Sequence, residues 1–228
     1  MAAAGWLRWV ARSCVLGCRP DPLTDGTLGT CGIRLVATRL GRFVTTPPGL
    51  TSFAVRRFSP LQFDPEHVAS DDEVDVLLEA AGRAPSAGNS QPWAFIVGKR
   101  GDGVHAKLVR HLSRSSSAWA PGASLIVANL SQRFVEDTEM DYSEFAHYDL
   151  GQAVAHLTFQ AHAMGMSVHQ FRAFDRDSVA REFSVPDHWE VTTMAAIGVP
   201  TVEARSMTGA GTSRERRSRT QITWARGS

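Results

Sequence analysis

Three short stretches carry most of the residues able to do chemistry in this chain. The first is RAPSAGNSQPW, Arg83 to Trp93, which sets two prolines, a glycine, two serines, an asparagine and a glutamine between two apolar segments. A plain surface turn needs far less hydrogen-bonding capacity. Ser86, Asn89 and Ser90 offer donors and acceptors suited to the polar edge of a flat heteroaromatic ring. Gly88 permits close approach of the backbone. The second stretch is VRRFSP, Val55 to Pro60, where Arg57 and Ser59 stand two residues apart. A planar guanidinium and a short hydroxyl at that spacing on an extended chain can grip a phosphate. The third is RRSR, which puts Arg217 and Arg219 on one side of an extended segment as a second phosphate clamp.

Other chemistries are missing from the pattern. The sequence has no GxSxG elbow, no GxxxxGK[ST] phosphate loop and no HExxH. GDGVHA, Gly101 to Ala106, holds two glycines of a dinucleotide turn but not the third. His147, Asp149, His156 and His162 fall on one helical stretch without metal-ligand spacing, so no metal is expected. Cys14, Cys18 and Cys31 all lie in the first 31 residues, which leaves the body without a thiol. A reaction here would need a bound cofactor to carry it.

The elements that must position these residues read as follows. SDDE at Ser70–Glu73 is a capping box. Val74, Leu77, Leu78 and Ala81 then form an apolar helix face that Pro85 ends. WAFIVG reads as a short buried strand, 104–112 as a helix, and ASLIVANL as a second strand. Ser143 to Met164 is the longest helix, with Leu150, Val154, Leu157, Ala161 and Met164 on one face and Gly165 as its stop. SVHQF is a strand, Asp177 to Phe183 a short helix and VTTMAAIGV another strand. A polar linker follows, then QITW, Gln221 to Trp224, as a last strand. Interspersed helices and strands without a repeat indicate one layered domain, α+β or α/β.

In RRFSPLQFDP, LLEAAGRAPSAGNSQPWAFIV, YDLGQAVAHLTFQAHAMGMSVHQFRAFD, AAIGVP and RSR, taken in that order, the chain resembles the nitroreductase family of FMN-dependent oxidoreductases. The resemblance covers about Arg56 to Arg219, and APSAGNSQPW followed by a strand is its specific part. It implies an α+β layered fold, a central mixed sheet flanked by helices, in an intertwined homodimer. It implies that Arg57 and Ser59 hold the FMN phosphate and ribityl chain. Pro85, Ser86 and Asn89 would line the isoalloxazine, and the backbone from Gln170 through Arg172 to Ala173 would pass behind it. Arg217 and Arg219 would return to the phosphate, and Ser116 would reach over from the second subunit. No side chain is implied as catalytic, because the flavin carries the chemistry. NADPH or NADH would donate and a quinone, nitroaromatic or similar electron-poor acceptor would accept, in ping-pong order.

Relatives of the same resemblance break down flavin, remove halogens or reduce enoates and aldehydes, so those reactions stay open, as does flavin binding without turnover. One departure stands out. Many members carry Lys or Arg two residues after the Ser of the Arg-x-Ser motif; this chain has Leu61 there, which removes a charge that stabilises reduced flavin. Arg133 to Glu144, RFVEDTEMDYSE, is acidic where relatives vary a substrate lid, and would disfavour anionic acceptors. Residue types alone leave other roles plainer. Trp93 reads as packing, Phe145, Phe159 and Met164 as core or dimer interface, and His169 as a strand histidine or a flavin neighbour. Asp149 and Gly151 read as helix packing at the dimer interface.

Charge and composition set the outer bounds. The 228 residues carry a net charge of +1 and 43% hydrophobic content, enough for one domain with a full core. Residues 1–57 hold eight Arg, no Lys, Asp21 and Asp25; they carry about +6 and leave about −5 elsewhere. An acidic body argues against nucleic-acid binding, and no apolar run reaches membrane-spanning length. These features place the protein in the cytoplasm as an expectation. Residues 1–43 read as a tail, a targeting segment or a mis-assigned start, with the FMN-binding domain at 44–228.

Overall fold

Ser70 accepts from the Glu73 amide while Glu73 reaches back to the Ser70 amide, and this reciprocal cap starts helix α2 (Asp71–Gly82) where the sequence places it. The computed structural model describes residues 49–208 and 212–227. The reading of residues 1–43, and of the domain start at Val44, falls outside them. Before α2 lies a short helix that periodicity does not show, α1 (Ser52–Arg56), capped by the Thr51 side chain. Five residues are too few to display a 3.6-residue repeat.

Four strands make the sheet: β1 (Trp93–Lys99), β2 (Leu125–Gln132), β3 (Ser167–Phe171) and β4 (Trp189–Gly198). Their order is β1-β2-β4-β3 and every pairing is antiparallel. The expected mixed sheet is therefore corrected to an antiparallel one among the described residues. Even β3 and β4, joined through a helix, run in opposite directions, so none of these connections is a parallel crossover. β2 is buried along nearly its whole length, and β1 only half-buried, because β2 is internal and β1 lies at the edge. WAFIVG is thus a strand, but an edge strand.

The remaining helices are α3 (Gly103–Arg110), α4 (Arg114–Ser117), α5 (Ala146–Ala163), α6 (Arg176–Glu182) and α7 (Arg219–Ile222). On one face of the sheet, α2 and α5 bury Leu77, Ala81, Ala153, Leu157 and Ala161 against Leu125, Val127 and Ile197. On the other, Leu108 of α3 and Val179 of α6 pack with Ile126, Ala128 and Met194. The alternation along β2 divides its side chains between these two cores. The result is an α+β layered fold. Gly165, at φ +82°, ends α5 in the left-handed conformation that glycine adopts cheaply.

QITW is not a strand. The Ser218 side chain accepts from the Gln221 amide and Gln221 reciprocates, so a second capping box opens α7 instead. Among the described residues no helix is long and apolar enough to cross a membrane.

Candidate functional site

Helix α1 stops at Arg56, and Arg57 leaves it with an extended ψ of 129°. Phe53 pins α1 to α5: its ring meets Phe159 edge-on at 4.3 Å and His162 at 5.1 Å. Pro60 ties the next residues to β3, because its carbonyl lies 2.8 Å from His169 Nδ1. A carbonyl only accepts, so that nitrogen carries the proton. These two ties enclose a cavity of about 280 Å³ into which Arg57, Ser59 and Gln170 present polar groups between apolar walls of Phe53, Phe159 and Val168. Arg57 Nη1 stands 3.5 Å from Ser59 Oγ. No carboxylate pairs with Arg57 among the described residues. Burial, and then the nearby Arg216 guanidinium, lower its pKa from the ordinary arginine value. A guanidinium beside a hydroxyl, with no pairing acid among the described residues, suits an anion.

The loop at 83–93 is built from its own backbone. Gly88, Asn89 and Gln91 take positive φ, at 58°, 58° and 48°. Asn tolerates that region; for Gln it is strain held by surrounding bonds. The Asn89 amide donates to the Ser86 carbonyl at 3.0 Å, and the Gln91 amide to Ser86 Oγ at 3.0 Å. Pro85 and Asn89 are exposed and Ser86 half-buried. Outside groups clamp the loop: Asp149 Oδ2 accepts from the Ala87 amide at 3.0 Å, the Tyr142 hydroxyl donates to the Ser90 carbonyl at 2.9 Å, and the Gln132 amide donates to the Pro92 carbonyl at 3.0 Å. The sequence reading assigned Asp149 to helix packing and passed over Tyr142. Nothing local signals either bond, since the partners lie 62 and 52 residues away.

Two expectations need correction. Ser116 is 1% exposed, and its hydroxyl donates to the carbonyls of Ala173 and Ser113. It braces the segment after β3 within its own chain, so it is not free to reach across from a second subunit. Arg217 and Arg219 do not share one side of an extended chain, because Arg219 opens α7 and Arg217 donates to the Gln221 carbonyl. The arginine of the run whose charge acts on Arg57 is Arg216, though it too lies outside the cavity's lining and its guanidinium donates to the Ser213 and Glu215 carbonyls. Arg172 is exposed and lies over the Phe174 ring, 5.5 Å from its centroid. Burial first and then Arg176 lower its pKa, partly opposed by Glu190 and Asp177. The structure thus brings Arg57, Ser59 and Gln170 together in one cavity. It keeps Pro85, Ser86 and Asn89 on one loop, joins Ser116 to Ala173, and leaves Arg172, Arg217 and Arg219 outside that cavity's lining.

Residues 54–118 match the model of the nitroreductase family. Over that segment, less than half of the chain, the sequence is similar to the nitroreductase family. That matched segment spans Arg57, Ser59, the 83–93 loop and Ser116, while Gln170, Arg172, Ala173, Arg217 and Arg219 lie beyond it. Protein DrgA of Synechocystis is 26% identical over 175 residues, covering 65% of this chain and 83% of its own. The oxygen-insensitive NAD(P)H nitroreductase of Salmonella typhimurium is 37% identical over 54 residues, covering 24% of this chain and 25% of its own. The nitroreductase fold extends over the domain. A solved oxidoreductase containing FMN superposes with a TM-score of 0.70 at 24% identity, over 78% of this chain and 92% of its own. FMN is also bound in other solved structures of this fold.

Proposed function

We propose that this chain is an FMN-dependent NAD(P)H oxidoreductase acting as a homodimer, with residues 44–228 as its working unit. The observation that carries the reading is the cavity where Arg57, Ser59 and Gln170 converge without a carboxylate among the described residues, with the Arg216 charge acting on Arg57. Its volume, about 280 Å³, falls just short of typical whole-ligand pockets, roughly 300 Å³ and upward. It suits the phosphate and ribityl end of FMN, with the ring continuing outside it. Arg57 and Ser59 would hold that end, and Arg216 is the second cation, in the role first given to Arg217 and Arg219. Pro85, Ser86 and Asn89 would line the ring, with the backbone from Gln170 to Ala173 behind it.

A flavin so held supplies two-electron transfer between a nicotinamide donor and an electron-poor acceptor, in ping-pong order. The protein's share is to bind, orient and exclude water, not to move protons through a side chain. His169 fits that division, since it is buried, bonded to the Pro60 carbonyl and stacked on Trp119 at 4.3 Å. The FMN in solved relatives and the NAD(P)H of the Salmonella protein's name support the pairing of cofactor and donor. Quinones and nitroaromatics are the acceptors proposed.

One observation favours a second reading, a flavin-binding protein without turnover. Leu61 stands half-buried, directly after the Pro60 that anchors the site, where a cation would assist reduction. Visible spectra of the purified protein, taken anaerobically before and after NADPH or NADH, separate the two. A yellow protein that bleaches is the expected result. A yellow protein that stays yellow favours the second reading, and a colourless protein that takes up no added FMN overturns both.

A further inference from the structure

We propose that Asp149 is a positioning residue for the loop at the flavin edge, acting through its hydrogen bond to the Ala87 amide. The claim rests on the function proposed above, which gives that loop its ligand. On α5, Asp149, Ala153, Leu157 and Ala161 recur every fourth residue and form one row against the sheet, each at most 3% exposed. Three members are apolar core and the fourth is a carboxylate. A buried carboxylate is costly unless its oxygens are bonded, so its retention in such a row needs a reason.

Two features accompany the buried carboxylate. Asp149 lies in the first turn of α5, where the helix's free amides favour an anion. The sheet face below α5 also turns polar toward one end. Asn129 and Ser131 follow Leu125 and Val127 on the same side of β2, and both are fully buried. Asn129 Nδ2 donates to Thr193 Oγ1 at 3.0 Å. Neither feature explains the direction of the carboxylate. Oδ2 accepts from the Ala87 amide at 3.0 Å, across 62 residues of sequence.

That amide begins the tight turn Ala87–Asn89, whose next two residues are left-handed. The bond therefore fixes the turn on which Ser86 and Asn89 are displayed. Without it, the external tie that remains inside the 86–91 turn among the described residues is the Tyr142 hydroxyl on Ser90.

The test is a double-mutant cycle on FMN affinity, using Asp149→Leu and Ala87→Pro. The proline removes the donor and sets its ring Cδ where the hydrogen pointed, against Asp149 Oδ2, so the double variant is needed to separate the lost bond from that contact. It falls at the first position of the turn, and Ser86 before it is already extended at φ −144° and ψ 155°, as a residue preceding proline should be. Each single variant is expected to weaken FMN binding about tenfold or more and to alter the flavin's circular dichroism. The double variant is expected to be no weaker than the worse single within about twofold, because both changes delete one bond. Asp149→Asn, which keeps an acceptor oxygen, should stay within about threefold of wild type. Ala87→Pro leaves α5 intact, so the question is still answered if Asp149→Leu does not fold. Single variants with wild-type FMN affinity and dichroism, or penalties that add in the double, overturn the proposal while the flavin reading stands. Wild-type protein that takes up no FMN overturns the flavin reading, and the positioning role with it.

Discussion

His105 and His169 are buried imidazoles whose pKa values lie below the ordinary histidine value, and in both burial is the main cause. Asp102 pulls His105 back up in part and Arg100 pushes it further down; the Pro60 carbonyl partly restores His169. In the unfolded chain both titrate near 6.5. Above that pH neither state is charged and the folded protein carries no penalty. As pH falls through about 6.5 the unfolded chain takes up protons that the folded one resists, so stability is lost toward the lower folded pKa values. The urea midpoint is therefore expected to drop between about pH 7 and 5.5. Replacing both, as His105→Asn with His169→Gln, should flatten that slope; an unchanged slope would contradict the assignment. Glu73, Asp102 and Glu190 have lowered carboxyl pKa values, so their contribution is present above about pH 4 and lost below it, outside this window. At this scale the grouping of candidate residues was legible where residue type and short spacing coincide, as at Arg57 and Ser59, which line one cavity. It was not legible at Ser116, whose hydroxyl partner lies 57 residues away. Nor was it legible at Arg216, because which arginine of a run acts on Arg57 depends on the turn that carries it.

Elements with their own chemical punctuation were readable. Ser70 with Glu73 marks the start of α2, and β3 occupies the five residues of SVHQF. Elements too short to show a period were not. α1, α4 and α7 have five, four and four residues, and the cap that makes α7 a helix resembles a strand's polar flank in the bare sequence. The connection between β2 and α5 shows what pattern reading adds and where it stops. Its acidity is evident from sequence, but its attachment is not. Arg133 bonds Glu190 at 2.7 Å, and Arg176 and His147 converge on the same carboxylate at 2.6 Å and 3.4 Å. Burial works against the Glu190 charge; the Arg133 hydrogen bond and the charges of His147, Arg133 and Arg176 outweigh it. The root of the segment is thus fastened while Glu136, Asp137, Glu139 and Asp141 remain exposed, and Tyr142 returns to the 83–93 loop. An exposed acidic rim tied to that loop should repel anionic acceptors, and salt should screen the effect. Neutral quinones are expected to show several-fold higher kcat/KM than sulfonated quinones of similar potential, the gap narrowing at high ionic strength. Equal turnover of the two at low salt would remove the lid from the account of specificity.

At the scale of the whole molecule, the telling feature is the apolar surface exposed among the described residues. Tyr148 and Phe159 on α5 are 66% and 49% exposed, Ile222 is 67% exposed, and Trp224 is fully exposed. Single exposed hydrophobics are ordinary, but aromatic side chains left open on the longest helix and on the last described segment mark surfaces meant to be covered. We propose a second copy of this chain as that cover, in line with the homodimer inferred above. The cavity makes the proposal testable by cofactor binding as well as by mass. Its wall includes Phe159, which is half open to solvent, so a partner on this flank would close the cavity as it buries the helix. Dimerisation and flavin retention should then be linked, each strengthening the other by mass action. Sedimentation of the flavin-loaded protein, followed at the flavin's visible band, is expected to show a dimer at micromolar concentration. Phe159→Glu, which places a charge on that flank, should shift the protein to monomer and weaken FMN binding together. Monomeric wild-type protein that holds FMN tightly would show that one chain completes the site. A Phe159→Glu monomer with undiminished FMN affinity would separate the interface from the cavity.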